Sequence, residues 1–355
     1  MNSKNLIAAI IIAAIIITAF NCKDTGTGPN TKPYKDPREM IWTADTLPVP
    51  EGAIQVLPED MLVVSPTDIY LATWVGHGQI MHYDGTSWKL ARDVGGGGVD
   101  CLTLGNNNTL WAGGYIGRDV GGQFTQNAFV LSYNGSNWQE NEMDIKSQIL
   151  DMSTDPSGNI WACGNNGVVM KNAHGKWIAD TINIQGFSQN NCYLYSIKFF
   201  NGKIFALARN NANTLFAYVS GDIKNWKLMD TFPLTSSTNV IKWGTLVLSD
   251  EISGKLNSYG LGGIWQLGNS GWNQTLDLTS AIRNVAGPSS NYIVGVGAFR
   301  NVQFFDSNTW KNIGYTINVD PNYAFNNVWT DGYEVIIAAY STINGIQKTV
   351  VWYGK

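Results

Sequence analysis

The sequence predicts an all-β fold, a seven-bladed β-propeller of four-stranded antiparallel blades, with the last blade closed by an N-terminal strand. Three observations carry this. Seven tryptophans, Trp42, Trp88, Trp138, Trp177, Trp226, Trp272 and Trp310, each follow a turn and open a short strand, at spacings from 38 (Trp272 to Trp310) to 50 residues (Trp88 to Trp138). A self-similar period of that size marks four-stranded sheets stacked about an axis. Charged residues make up only 14% of the 355 residues while glycine reaches 38, a composition suited to many short strands joined by tight turns. Finally, the unit that ends at Lys355 lacks a fourth strand, whereas Ile41-Trp42-Thr43-Ala44-Asp45 has a fourth-strand pattern and no unit of its own. Pairing the two would remove exposed sheet edges and close the ring.

The N-terminus reads as an address. Lys4 precedes an unbroken apolar run from Leu6 to Ala19, too short to span a bilayer comfortably but right for the core of a secretory signal. It leads into Ala19-Phe20-Asn21-Cys22, which resembles a bacterial lipoprotein cleavage box, with Phe20 and Asn21 where small residues are usual. The resemblance implies a signal peptide over 1–21, lipidation of Cys22 and anchoring in the cell envelope at the outer membrane. Residues 22–38 are rich in Gly, Pro, Thr, Lys and Asp and are expected to form a flexible tether, with the propeller domain over 39–355.

The clearest unit lies at 148–183. Ile149–Ser153 is a first strand and Ile160–Cys163 a second; Gly164-Asn165-Asn166-Gly167 is a hairpin; Val168–Lys171 and Trp177–Asp180 complete the sheet. Units one, two, four, six and seven follow the same plan. Unit five is the least regular, with inner strands expected at Thr245–Glu251 and Leu256–Gly260. The repeat resembles bacterial envelope propellers of the two-component-regulator-propeller and BNR/Kelch-like type. Tyr83-Asp84-Gly85-Thr86-Ser87-Trp88 is similar to the tail of a sialidase Asp-box, one residue short. Such resemblances carry fold further than activity. The recurring tryptophans are read as packing wedges between blades, and the Asp-Gly and Asn-Gly turns before them as hairpin chemistry.

In a propeller, ligands bind where the second-to-third-strand loops and the blade-to-blade connections converge over the channel. Three of the six arginines, Arg118, Arg209 and Arg300, fall in this loop class in blades two, four and six. Guanidinium groups around one channel would favour a carboxylate, sulfate or phosphate. With Trp74, His77, Tyr115, Asn211, Phe299 and Tyr340 they form the candidate ligand-binding mouth.

No catalytic constellation emerges. No HxH or HExxH pattern points to a metal, and no P-loop, GxSxG elbow or dinucleotide fingerprint occurs in its required setting, so no cofactor is expected. The Gly95–Gly98 run reads as a connector between blades one and two. Cys101, Cys163 and Cys192 read as buried structural residues, with one pair able to bridge. A net charge of −4 leaves no basic footprint for nucleic acid. The expected function is that of a monomeric, lipid-anchored, non-enzymatic module binding a glycan, peptide or protein. The alternatives are a carbohydrate-active hydrolase or lyase on acidic polysaccharide, and a structural subunit of an envelope assembly.

Overall fold

A computed structural model describes residues 33–182, 192–209, 215–220, 222–232, 248–252, 254–260, 263–277, 281–298, 300–317, 322–341 and 345–355. The folded unit runs from Tyr34 to Lys355. After β1 (Trp42–Thr46), strands follow one another in antiparallel fours. Blade one comprises β2 (Leu57–Ser65), β3 (Asp68–Trp74), β4 (Gly78–Tyr83) and β5 (Trp88–Asp93). Blade two comprises β6 (Gly97–Leu104), β7 (Leu110–Val120), β8 (Gln123–Tyr133) and β9 (Trp138–Glu142). Blade three comprises β10 (Ile149–Thr154), β11 (Ile160–Gly164), β12 (Val168–Ala173) and β13 (Lys176–Thr181). Blade four comprises β14 (Tyr193–Phe200), β15 (Lys203–Arg209), β16 (Leu215–Ser220) and β17 (Lys227–Phe232). Blade five comprises β18 (Leu248–Ile252), β19 (Lys255–Gly260), β20 (Gly263–Gly268) and β21 (Gly271–Asp277). Blade six comprises β22 (Ile282–Ser289), β23 (Tyr292–Gly297), β24 (Val302–Phe305) and β25 (Trp310–Asn312). The remaining sheet takes β26 (Tyr323–Thr330), β27 (Val335–Ser341) and β28 (Lys348–Gly354) from the end of the chain and β1 from its start. β1 runs antiparallel to β28, with Trp42 opposite Gly354 and Thr46 opposite Val350. Each innermost strand touches the next, and β26 returns to β2.

The core is divided among the junctions between blades, and each recurring tryptophan covers the junction its blade shares with the blade before it. Trp88 of blade one packs on Ile69, Leu71, Ile336 and Val351, and donates its indole N–H to the Tyr353 hydroxyl at 3.0 Å. Trp138, Trp177, Trp226, Trp272, Trp310 and Trp42 cover the successive junctions in the same way. The turn before the tryptophan has its own cause. Asp84 accepts the backbone N–H of Thr86 and Ser87, each at 3.0 Å, and Asn134, Asp222 and Asp306 accept the equivalent pair in their blades. A short side chain that caps its own turn sets the chain direction so that the tryptophan enters the groove.

Several expectations need correction. Gly113–Asn127 is no loop: β7 and β8 pair continuously from Leu110–Tyr133 to Val120–Gln123. Gly121 and Gly122, both at positive φ, supply the two-residue turn that keeps the long hairpin in register. Gly97 and Gly98 belong to β6 rather than to a connector, because a Cβ on Gly98 would lie 2.5 Å from the Tyr115 ring. In blade five the inner strands are Leu248–Ile252 and Lys255–Gly260, and positions 245–247 lie outside the described residues. Cys101, Cys163 and Cys192 are free thiols, all buried. Within the stretch expected to be a tether, Tyr34 packs edge-on against Tyr292 and Tyr333, and the Lys35 carbonyl accepts the Tyr292 hydroxyl at 2.9 Å. The signal segment and Cys22 lie outside the described residues.

Candidate functional site: the channel wall

Six of the innermost strands carry a β-bulge at the equivalent place near their start. The register shifts between Pro58 and Asp60, Val99 and Cys101, Ile149 and Asp151, Leu194 and Ser196, Ile282 and Asn284, and Phe325 and Asn327. A bulge inserts one residue that opposes nothing on the partner strand and re-aims its side chain. The inserted residues are Glu59, Asp100, Leu150, Tyr195, Arg283 and Asn326, and all six line one central cavity of about 630 Å³. Blade five contributes Tyr259.

The residue after each inserted one ties neighbouring blades together. Asp60 accepts the backbone N–H of Leu102 at 2.7 Å, Asp151 that of Ile197 at 2.9 Å, and Asn284 that of Val328 at 3.3 Å. Around the other side, Arg283 donates to Asn326 Oδ1 at 2.5 Å, and Asn326 Nδ2 donates to the Pro58 carbonyl at 2.6 Å. A polar wall of this kind is therefore part of the frame as well as a lining.

Its charge is unevenly spread. Glu59, Asp60 and Asp100 sit on the adjacent strands β2 and β6. Burial pushes Glu59 up to about 8, with the charges of Asp100 and Asp60 adding to the shift. Glu59 is exposed to the interior of the channel, so water reaches it and tempers this effect. Burial pushes Asp60 up to about 7 against the N–H bonds from Leu102 and Met61. Burial also pushes Asp100 up to about 7, opposed by its bond from Gln148 Nε2 at 2.8 Å. Asp100 Oδ2 is buried with no hydrogen-bond partner. The cations lie elsewhere on the wall: Lys198 stands 3.5 Å from Asp151, and the Arg283 guanidinium 6.0 Å from the centre of the Tyr340 ring.

The sequence-derived mouth residues are distributed as follows. Tyr115 lies near Asp100 and Glu59, which with burial raise its phenol. Tyr340 faces Arg283, and Arg209 bonds the hydroxyl of Tyr195. Arg118 holds both oxygens of Glu142 on the long hairpin, and Arg300 lies over the ring of Tyr315 at 5.3 Å. His77 is bonded to Asp93 at 3.0 Å, and Trp74 ends β3 opposite Leu57 and Gly78. Asn211 and Phe299 lie outside the described residues. The three arginines singled out from the loops thus have different partners and do not form one cluster. The wall residues that sequence reasoning missed, Glu59, Asp60, Asp100, Asp151 and Arg283, each occupy the inserted bulge position of an inner strand or the one after it. Their spacing to the blade's tryptophan runs from 26 residues (Asp151 to Trp177) to 38 (Asp100 to Trp138), so no fixed interval marks them in the sequence. Among the described residues no group of three His, Cys, Asp or Glu side chains could hold a metal ion.

No family model matches the chain, and no curated protein matches its sequence. Solved structures do. The chain is similar to YCF48 bound to a D1 peptide, at 14% identity and a TM-score of 0.59, over 91% of this chain and 96% of that one. YCF48 from Cyanidioschyzon merolae is similar at 12% identity and a TM-score of 0.58, over 88% and 98%. The extracellular domain of a B. thetaiotaomicron protein described as a hybrid two-component system is similar at 15% identity and a TM-score of 0.61, over 87% of this chain and 40% of that one. At these identities the likeness is one of fold, and that fold is the β-propeller.

Proposed function

We propose that this chain is a lipid-anchored binding module of the cell envelope that holds a peptide segment of a partner protein in the mouth of its channel. The observation that carries the reading is the wall itself. Six strands each spend a bulge to aim a side chain into a shared cavity of about 630 Å³, and four of those six side chains are charged or amide-bearing. Channel space that served packing alone would be filled by apolar side chains. A propeller of similar fold has been solved with a peptide bound. The anchor rests on the Ala19–Cys22 box.

Photo-crosslinking in intact cells tests the reading. A benzophenone amino acid in place of Tyr340, beside the mouth, should give a discrete protein adduct. The same probe in place of Tyr133, at the opposite end of its blade, should not. Adducts from position 133 alone would place the partner elsewhere.

One observation favours a second reading. Carboxyls raised to about 7 and 8 can hand over a proton near neutrality, as a glycoside-cleaving enzyme requires. Release of oligosaccharides from an acidic polysaccharide by the wild-type chain, lost in Glu59→Gln, would support it.

A further inference from the structure

We propose that the wall formed by Glu59, Asp60 and Asp100 receives a cationic side chain of the bound peptide, a lysine or an arginine; this rests on the peptide-binding reading above. The first ground is the absence of an internal counter-ion. Among the described residues none of these three carboxylates has an ion-pair partner: Asp60 is met by backbone N–H groups and the amide of Asn327, and Asp100 by Gln148. Lys198 is engaged by Asp151, and Arg283 by Asn326. Three carboxylates gathered on two neighbouring strands are a concentration of charge with no cation in contact, offset within the fold only by Lys198 acting on Asp60 from a distance.

The second ground is independent of charge. Among the described residues two buried acceptors that belong to this wall have no donor: Asp100 Oδ2, and Oδ1 of Asn327, which is only 4% exposed. Both residues line the cavity. Buried acceptors are almost always satisfied, and a bound donor is one of the few physical explanations for those that are not. An ammonium offers three N–H donors and a guanidinium five, with no acceptor, so either complements a wall built of acceptors. An anion would meet repulsion from all three carboxylates.

Binding of a cation takes the ionised carboxylates, so it is linked to proton release. The titratable and charged groups facing the site are Glu59 and Asp60 on β2, Asp100 and Cys101 on β6, Tyr115 on β7, Asp151 on β10, Tyr195 and Lys198 on β14, Tyr259 on β19 and Arg283 on β22. The raised carboxyls are largely protonated at pH 6 and largely ionised at pH 8.5. Affinity should therefore rise across that interval.

The test is selection of a random phage-displayed peptide library on the folded wild-type chain at pH 8.5. The enriched peptides should share a lysine or an arginine. A synthetic representative should bind at least tenfold more weakly to the Glu59→Gln/Asp100→Asn variant, and at least tenfold more weakly at pH 6. Replacing its lysine by norleucine or its arginine by citrulline identifies the group that binds. If the double variant melts early, Asp100→Asn alone and the altered peptides decide the matter. Enriched peptides without a cation, or with affinity indifferent to both carboxylates, would overturn this inference and leave peptide binding standing. No enrichment at all would overturn both.

Discussion

Asp60 in blade one and Asp151 in blade three hold the same place in the repeat, yet their surroundings diverge. Each follows an inserted residue and each accepts a backbone N–H from the next blade's inner strand, Leu102 at 2.7 Å and Ile197 at 2.9 Å. Asp151 also accepts the Ser196 hydroxyl at 2.7 Å and has the Lys198 ammonium 3.5 Å away. Among the described residues Asp60 has no cation in contact and feels Lys198 only at a distance, and Glu59 and Asp100 stand close enough to interact with one another. The clamp is common to both blades and belongs to the architecture. Among the described residues the surplus charge lies around blades one and two. That difference separates the frame from the site.

Removing the carboxylates should break the comparison most visibly. Asp151→Ala deletes the clamp and removes the carboxylate beside the partly buried Lys198, so a loss of about 3 kcal/mol is expected in denaturant unfolding. Asp60→Ala loses the N–H bonds but also relieves a desolvated charge, and a loss of about 1 kcal/mol or less is expected. Equal losses at the two positions would mean that the environments do not differ as described.

A smaller effect sharpens the same contrast through pH. The folded-state values of Glu59, Asp60 and Asp100 lie above ordinary carboxyl values, so the folded chain binds protons more tightly than the unfolded one there. Their contribution to stability is complete below about pH 4 and is lost as pH rises through about 7 to 8. Asp84 and Asp306, held low by Lys89 and Lys311 and by their own turns, act in the opposite direction, but only in acid. The melting temperature should fall from pH 5 to pH 8. Asp100→Asn should raise stability at pH 8 by about 1–3 kcal/mol and change it little below about pH 4, where the carboxyl is neutral in the native state and mostly neutral in the unfolded one. A gain equal at both pH values would contradict the assigned cause.

Much of the architecture was legible because it is local. A turn-capping Asp or Asn four residues before a tryptophan is a short-range signal, as in Asp84 to Trp88 and Asn134 to Trp138, and it recurs in blades four and six. The unpaired strand pattern around Trp42 was legible for the same reason. The wall was not. Leu57-Pro58-Glu59-Asp60 reads as a poor strand opening, with a proline and two acids, until a bulge turns both acids inward. Arg283 and Asn326 meet across 43 residues of sequence, a contact that no local pattern announces. Loop position also misled: Arg118 belongs to a paired strand, and its bond to Glu142 depends on a hairpin longer than the flanking glycines suggested. A propeller's inner strands are set by their neighbours across the axis, and those neighbours are distant in the chain.

The central claim is that a group of desolvated carboxyls waits on one side of the channel. Carboxyl-carbon NMR of the folded chain labelled at aspartate and glutamate, titrated from pH 3 to pH 10, tests it most directly. Two aspartates should titrate near 7 and one glutamate near 8, and the resonances should vanish in turn in Asp60→Asn, Asp100→Asn and Glu59→Gln. If every aspartate and glutamate titrates below about pH 5, the wall is fully hydrated and the account of the site fails.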